Sequence, residues 1–219
     1  MRPAHLRAAA APEAEAYLAE RRRRGERVVV DLGCGAHKTS GALGVDAVAL
    51  PGVDMVHDLR TRPYPLPESF ADEVVLSHVL EHFADPLPIM EEVWRITRPQ
   101  GRVLIRTPHF SGRYAWKDPT HLRAFTSESF HYFGENGYSY YTQARFRVAS
   151  VRLRYFMEEE LWPWPHRVFG RAVQWLLDRH PTFGERFLCY VVGGIDELHV
   201  TLEARKDEAA STGMRPDPR

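Results

Sequence analysis

Short apolar runs, each closed by polar or turn-forming residues, recur along the first half of the chain. The β-branched run 27–32 has the length of a strand, and Gly-Cys-Gly follows it at once. Further runs of strand length lie at 44–50, 53–57, 73–77 and 102–107. This pattern predicts successive strands of one sheet.

Helical patterns flank these strands. Residues 12–24 are good helix formers that end at Gly25, directly before the first strand. Residues 86–97 place their apolar side chains mainly along one helical face, and the following Arg-Pro-Gln-Gly stops that helix. Because a strand, a helix and a strand in succession imply a parallel pair, the chain is expected to be an α/β protein.

The second half adds two alternating segments, 146–155 and 197–204, which read as strands near a sheet edge. With them the pattern predicts a Rossmann-like, doubly wound, mostly parallel seven-stranded sheet in a single domain, 1–205. Between them, the Trp-, Pro- and Phe-rich stretch 156–194 contains a helical pattern at 168–177 and is expected to be an insert, either a lid or an oligomer face. Residues 206–219 lack apolar periodicity and are expected to form a disordered tail.

Composition narrows the possible functions. The 219 residues carry 29 basic and 29 acidic side chains, and this balance argues against a general nucleic-acid binder. The two cysteines, Cys34 and Cys189, lie far apart and indicate neither a disulfide framework nor a multi-cysteine zinc site. With no signal-peptide pattern and no apolar run of membrane-spanning length, a soluble cytoplasmic protein with no membrane contact is expected.

The loop after the first strand is the first candidate for chemistry. Gly33 and Gly35 allow the backbone to approach a ligand closely, although a tight turn would use them equally well. Asp31 precedes them, and the second strand carries Asp46, whose carboxylate can accept two hydrogen bonds from a ribose. A nucleoside-like cofactor is therefore expected.

Carboxylates also discriminate between cofactors. They accept hydrogen bonds from hydroxyl and amine groups and favour the positive charge of a sulfonium, whereas the pyrophosphate of NAD would seek a glycine-rich helix N-terminus. The three-glycine dinucleotide fingerprint is incomplete here, because His37-Lys38 follows Gly35. The carboxylates and the incomplete fingerprint therefore favour a sulfonium methyl donor over NAD as the cofactor.

Several motifs in order resemble the class I S-adenosylmethionine-dependent methyltransferases: Val-Val-Val-Asp-Leu-Gly-Cys-Gly, Val45-Asp46, His57-Asp58-Leu59, the Leu-Ser-His-Val-Leu-Glu-His run 76–82 and residues 95–107. The likeness covers about residues 27–135 and is closest to a large bacterial group of methyltransferase domains. It implies S-adenosylmethionine as cofactor, with its methionine part near Asp31, Gly33 and Gly35, its ribose on Asp46, its adenine near Asp58 and Leu59, and its sulfonium near Ser77 and His78.

The chain departs from that group in one respect. The third loop glycine is replaced by His37, and only about eight residues separate Gly35 from the second strand, which is too few for the usual full helix.

Methyl transfer from a sulfonium needs alignment and exclusion of water, and it needs a base only for some acceptors. The segment after the strand 102–107 offers His109, Asp118 and His121, of which His121 is the expected base. Alternatively Asp118 caps a turn and His121 merely bonds to it, or the three residues bind a divalent ion. Their spacing is unspecific, so no metal is assigned. His78 and His82, four apart, could also share a helical face as in zinc helices.

The expected function is methyl transfer to a small-molecule or sugar-containing acceptor, at oxygen or nitrogen. Methylation of RNA or protein is an alternative, but the charge is neutral and Ser77-His78 stands where base-amine methyltransferases carry an Asn/Asp-Pro-Pro-Tyr element. A further alternative is a catalytically silent protein that binds a cofactor or a partner through the same fold. The sequence does not predict the oligomeric state, and an oligomer is possible.

Overall fold

The computed structural model describes residues 11–134, 141–157 and 163–206. Seven strands form one sheet: β1 (Val29–Leu32), β2 (Leu43–Asp46), β3 (Met55–Val56), β4 (Ala71–Ser77), β5 (Thr97–Pro108), β6 (Phe146–Arg154) and β7 (Glu197–Ala204). Their order across the sheet is β3-β2-β1-β4-β5-β7-β6. Strands β1 to β5 pair in parallel, and β7 pairs antiparallel with both β5 and β6. The predicted α/β, mostly parallel, seven-stranded fold is confirmed.

The strand boundaries differ from the sequence prediction mainly in β2 and β3. Both are shorter than the apolar runs 44–50 and 53–57, because the turn around Pro51-Gly52 interrupts pairing between them. Strand β5 is longer, since Thr97 pairs with Ala71 across a register shift before the regular ladder begins. Strand β7 has the predicted limits.

The connection between β1 and β2, residues 33–42, contains no helix. Helix α1 (Pro12–Arg24) packs beside it through Tyr17 and Arg21. The Tyr17 hydroxyl accepts a hydrogen bond from Val29 N–H at 3.1 Å and lies 2.9 Å from Val29 O and 3.0 Å from Gly41 O. Helix α1 thus stabilises the β1–β2 connection, which is too short to contain a crossover helix of its own.

Helix α2 (Leu87–Ile96) connects β4 to β5 and buries Met90, Val93 and Ile96 against the sheet. It ends where predicted, and Thr97 hydroxyl donates to Val93 O at 2.6 Å. Glu92 and Arg95, an ion pair at 2.8 Å, bind the backbone of the β3–β4 connection at Tyr64 and Leu66. Helix α2 therefore supports both the centre of the sheet and that connection.

The insert before β7 folds as helix α3 (Trp164–Arg179) and a helical run over 181–191. Gln174 ties α3 to β6 by donating to Leu153 O at 2.8 Å and accepting from Tyr155 N–H at 2.9 Å. The outer face of α3 exposes Trp164 and Trp175, 76% and 65% accessible. The predicted helix 168–177 lies inside α3, whereas insert residues 158–162 and tail residues 207–219 lie outside the described residues.

No helix among residues 11–134, 141–157 and 163–206 combines the length and the apolar character needed to cross a membrane.

Candidate active site

The carboxyl ends of β1, β2, β3 and β4 lie along one edge of the sheet, because these strands are parallel neighbours. The strand order reverses between β1 and β4, which is where open α/β sheets bind ligands. The residues expected to bind the cofactor lie at this edge. They are Asp31, Gly33, Gly35, Asp46, Asp58, Leu59, Ser77 and His78.

The glycine loop, residues 33–38, needs its two glycines for different reasons. Gly33 has φ +70°, and a Cβ there would lie 2.6 Å from Val79 Cγ2, so both conformation and packing exclude a side chain. Gly35 has φ +52°, but a Cβ would meet no atom within 4 Å. Gly33 holds the loop against the start of the β4–α2 connection, whereas Gly35 borders open space.

Two carboxylates fix the glycine loop through backbone N–H groups. Asp46 Oδ2 accepts from Gly35 N–H at 2.8 Å, and its Oδ1 accepts from Val48 N–H at 3.0 Å. Asp31, which is buried, accepts from Thr39 N–H at 2.7 Å. Each Asp46 oxygen keeps a second lone pair, so the carboxylate can accept two more hydrogen bonds.

Asp58, Leu59 and Cys34 lie at the same edge of the sheet as the glycine loop. After β3, Asp58 is half exposed and accepts from Arg60 N–H at 2.9 Å, while the side chain of Leu59 is buried. Burial, followed by the nearby charges of Asp31 and Asp46, raises the pKa of the Cys34 thiol to about 11. Cys34 is therefore a neutral packing residue at neutral pH.

His78, which follows β4, has φ +56° and bonds to two carboxylates. Its Nε2 lies 2.9 Å from Glu197 Oε1 and its Nδ1 lies 3.1 Å from Glu81 Oε1. The hydrogen bonds to Glu197 and Glu81 raise the pKa of His78 to about 9 and outweigh burial, which acts in the opposite direction. His78 is therefore an imidazolium at neutral pH and does not act as a base there.

Glu197 begins β7 and also accepts a hydrogen bond from His199. Burial raises its pKa, but the hydrogen bonds from His199 and His78 prevail and lower the pKa to about 2. Glu197 stands opposite Pro108 in the β5–β7 ladder. The ion pair between Glu197 and His78 therefore links the end of β4 to the end of β5.

Glu81, which follows His78 by three residues, is 1% exposed. Besides His78, its carboxylate accepts from the Thr107 hydroxyl at 3.2 Å. Its backbone carbonyl accepts from Leu122 N–H at 2.7 Å and Arg123 N–H at 3.2 Å. Glu81 therefore fastens the histidine loop, residues 109–125, to the short helical turn after β4.

That connection brings His121 beside His82, with ring centroids 4.8 Å apart and planes at 73°. His121 Nδ1 lies 3.2 Å from Ala115 O, and its Nε2 lies 3.8 Å from Asp118 Oδ2. Because a carbonyl oxygen can only accept, Nδ1 of His121 carries the proton, and Nε2 of the neutral ring has a free lone pair. Hydrogen bonds from the Thr120 hydroxyl and backbone N–H lower the pKa of Asp118.

His109, from the same loop, is in a different environment and is fully buried. Its Nε2 lies 3.0 Å from Glu185 Oε1, and its Nδ1 accepts from Ser111 N–H at 3.3 Å. Burial opposes ionisation of Glu185, yet the hydrogen bonds from His109 and Ser127 lower its pKa. Both ring nitrogens of His109 are hydrogen-bonded: Nδ1 to Ser111 within the histidine loop, and Nε2 to Glu185, which joins that loop to the insert.

The predicted group of His109, Asp118 and His121 is therefore not assembled around one point. Among the described residues, the set with metal-ligating atoms all within 4.8 Å of one another is Glu81, His82 and His121. The zinc-helix interpretation of His78 and His82 is not supported, because only the three-residue turn Leu80–His82 is helical and the His78 ring bonds to Glu81 and Glu197.

Sequence reasoning missed the acidic partners Glu81, Glu185 and Glu197. Each is a carboxylate in a largely apolar stretch, and such a residue must find a partner when buried. That signal was present in the sequence, but it does not say which residue the partner is.

Comparison with known proteins now gives the family. Residues 4–149, well over half of the chain, match the family described as a methyltransferase domain. No curated protein matches.

Two solved structures illustrate the shared fold. The chain is similar to a SAM-dependent methyltransferase from Archaeoglobus fulgidus at 18% identity and a TM-score of 0.54, over 87% of this chain and 94% of that one. It is also similar to the YcgJ protein from Bacillus subtilis at 16% identity and a TM-score of 0.52, over 89% and 98% of the two chains. The chain belongs to the class I S-adenosylmethionine-dependent methyltransferases, and S-adenosylmethionine is its cofactor.

Proposed function

We propose that the chain transfers the methyl group of S-adenosylmethionine to a hydroxyl or amine of a small-molecule or sugar-containing acceptor. The observation that carries this proposal is the 3.2 Å contact between His121 Nδ1 and Ala115 O, because a ring that donates from Nδ1 can accept a proton at Nε2. The balanced charge of the chain favours a small acceptor over a nucleic acid.

The cofactor roles follow from the resemblance and agree with the contacts. Asp46 has lone pairs available for two ribose hydroxyls while it holds Gly35. Gly35 borders the open space in which the methionine part would lie, with Asp31 beneath it, and Asp58 and Leu59 would flank the adenine. Ser77 and His78 would then border the sulfonium.

His121 is the base that this proposal favours. His78 holds its proton to about pH 9, and the ring nitrogens of His109 are already hydrogen-bonded in the interior. Neutral His121, by contrast, can take the acceptor proton at Nε2, and Asp118 Oδ2 at 3.8 Å would stabilise the imidazolium that forms.

The test has two parts. Titration calorimetry with S-adenosylmethionine and its demethylated product should give one site per chain, and saturating cofactor should raise the Tm. Radiolabelled S-adenosylmethionine incubated with a fractionated metabolite extract should then label a compound of low molecular mass. Parallel incubations with the RNA and protein fractions of the same cells complete the test: cofactor binding with label only in those fractions would refute the acceptor class, and binding without any label would favour a silent protein.

A further inference from the structure

Glu81, His82 and His121 bring together two imidazoles and a carboxylate from two separate segments of the chain. Their ligating atoms all lie within 4.8 Å of one another, and Asp118 Oδ2 lies 3.8 Å from His121 Nε2. Two histidines and a carboxylate form a common ligand set for divalent transition-metal ions such as Zn²⁺. The question is whether the lone pairs of these side chains are available to one ion.

The protonation of His82 can be assigned from its partner. Its Nδ1 lies 3.0 Å from Thr120 Oγ1, and that hydroxyl lies 2.7 Å from Asp118 Oδ1. A hydroxyl has one proton, and a carboxylate can only accept, so Thr120 donates to Asp118 and accepts from His82 Nδ1–H. Nε2 of neutral His82 therefore has a free lone pair.

The same assignment holds for His121, whose Nδ1–H donates to Ala115 O. Each ring thus has an outer acceptor that fixes its Nδ1–H tautomer and orients its Nε2. Metal-binding histidines have this arrangement, in which the second ring nitrogen donates to a carbonyl or to a carboxylate. For His82 the acceptor is the Thr120 hydroxyl, which Asp118 holds in place.

Burial supports a common site. Glu81 is almost completely buried, and the side chain of His121 is 9% exposed, so an ion between them would be shielded from water on that side. Ligand atoms around one tetrahedral Zn²⁺ are roughly 3.3 Å apart, given metal–ligand distances of about 2.0–2.2 Å. The backbone bonds from Leu122 and Arg123 to Glu81 O hold the two segments together.

We propose that Glu81, His82 and His121 bind one divalent transition-metal ion, with Zn²⁺ as the best match, and that Thr120 and Asp118 are positioning residues for His82. In the ion-loaded protein His121 Nε2 is a ligand, so the base role proposed above applies to the metal-free protein.

The experiment uses the full chain without an affinity tag, stripped with chelator and desalted. Titration with Zn²⁺ should show one site per chain, and Co²⁺ should give the visible spectrum of a four-coordinate ion with nitrogen and oxygen ligands. His82→Gln and His121→Gln should each weaken binding at least ~100-fold and remove the spectrum, whereas Thr120→Val, which retains all ligands, should weaken binding about 10- to 100-fold. The exposed His131, changed to Gln, is the matched control and should have no effect.

Absence of a bound equivalent in the wild-type protein, or binding that survives both His82→Gln and His121→Gln, would overturn the site. If a variant fails to fold by circular dichroism, Thr120→Val and the Co²⁺ spectrum decide the matter. Because these measurements need neither cofactor nor acceptor, they can fail while methyl transfer succeeds, and the reverse is also true.

Discussion

The glycine loop and the histidine loop lie at the same edge of the sheet but are fixed in different ways. In the glycine loop the partners are local: Asp46, on the adjacent strand, holds Gly35, and Asp31 holds Thr39. In the histidine loop the partners come from distant segments, since Glu185 of the insert binds His109 and Glu81 binds the backbone at Leu122. The contacts of the glycine loop therefore follow from short motifs, whereas those of the histidine loop depend on tertiary contacts between distant segments.

The largest expected effect tests the histidine loop. His121→Gln removes the proposed base and should lower kcat by about 10²- to 10⁴-fold, while the affinity for S-adenosylmethionine stays near wild type. Single-turnover kinetics with a labelled acceptor, in chelator-treated protein, measure this change. An unchanged rate per folded molecule would show that His121 has a structural role only.

The next effect tests the glycine loop. Asp46→Asn removes the charged acceptor proposed for the ribose and should weaken cofactor binding roughly 10- to 100-fold by calorimetry. Asp72→Asn is the matched control, because Asp72 also accepts a backbone N–H, from Val28 at 2.6 Å, but lies near the amino end of β4, at the opposite edge of the sheet. Equal losses in the two variants would mean that Asp46 acts only on the loop backbone.

His109 sharpens the contrast within the histidine loop. His109→Gln breaks a buried hydrogen-bonded pair with Glu185 and should reduce the free energy of unfolding by about 2 kcal/mol, equivalent to about 4–8 °C in Tm. The rate per folded molecule should change far less than in His121→Gln. Thermal melts and kcat measured on the same preparations provide the comparison, and a catalytic defect without loss of stability would contradict it.

The smallest effect concerns the ion pair between His78, which follows β4, and Glu197, which begins β7. The pKa of His78 is raised from 6.5 to about 9, so its stabilising contribution is complete below pH 6.5 and is lost as pH rises through 9. The pKa of Glu197 is lowered from 4.5 to about 2, so its contribution is present above pH 4.5 and is lost as pH falls toward 2.

His78→Asn suits a test because Asn tolerates a positive φ. The Tm of the wild-type protein should decrease from pH 6.5 to 9 relative to that of the variant, and parallel curves over this range would exclude the His78 contribution. Melting curves at constant ionic strength measure the difference.

The sequence predicted the fold well because strand and helix patterns are local. Helix α1 and strand β7 have the predicted limits, and the expected lack of room for a helix after Gly35 corresponds to a helix-free connection. The histidine loop depends on contacts that the sequence does not reveal. The sequence favours His121 over His109 as the base, but the different surroundings of the two rings became visible only in the structure, where Glu185, far along the chain, folds back onto His109. The cofactor and catalytic roles of individual residues remain predictions.

The bracing of the β1–β2 connection by α1 has a thermodynamic consequence. Tyr17 contacts the β1–β2 connection at Gly41, and the glycine loop at the other end of that connection borders the space proposed for the cofactor. If packing of α1 and binding of the cofactor both favour the same conformation of the β1–β2 connection, then each process strengthens the other. Thermodynamic linkage requires that the two effects be equal in free energy. Bound cofactor should then slow amide hydrogen exchange in α1. A truncation that removes α1 should lower the affinity for the cofactor, although the helix does not contact the proposed cofactor residues.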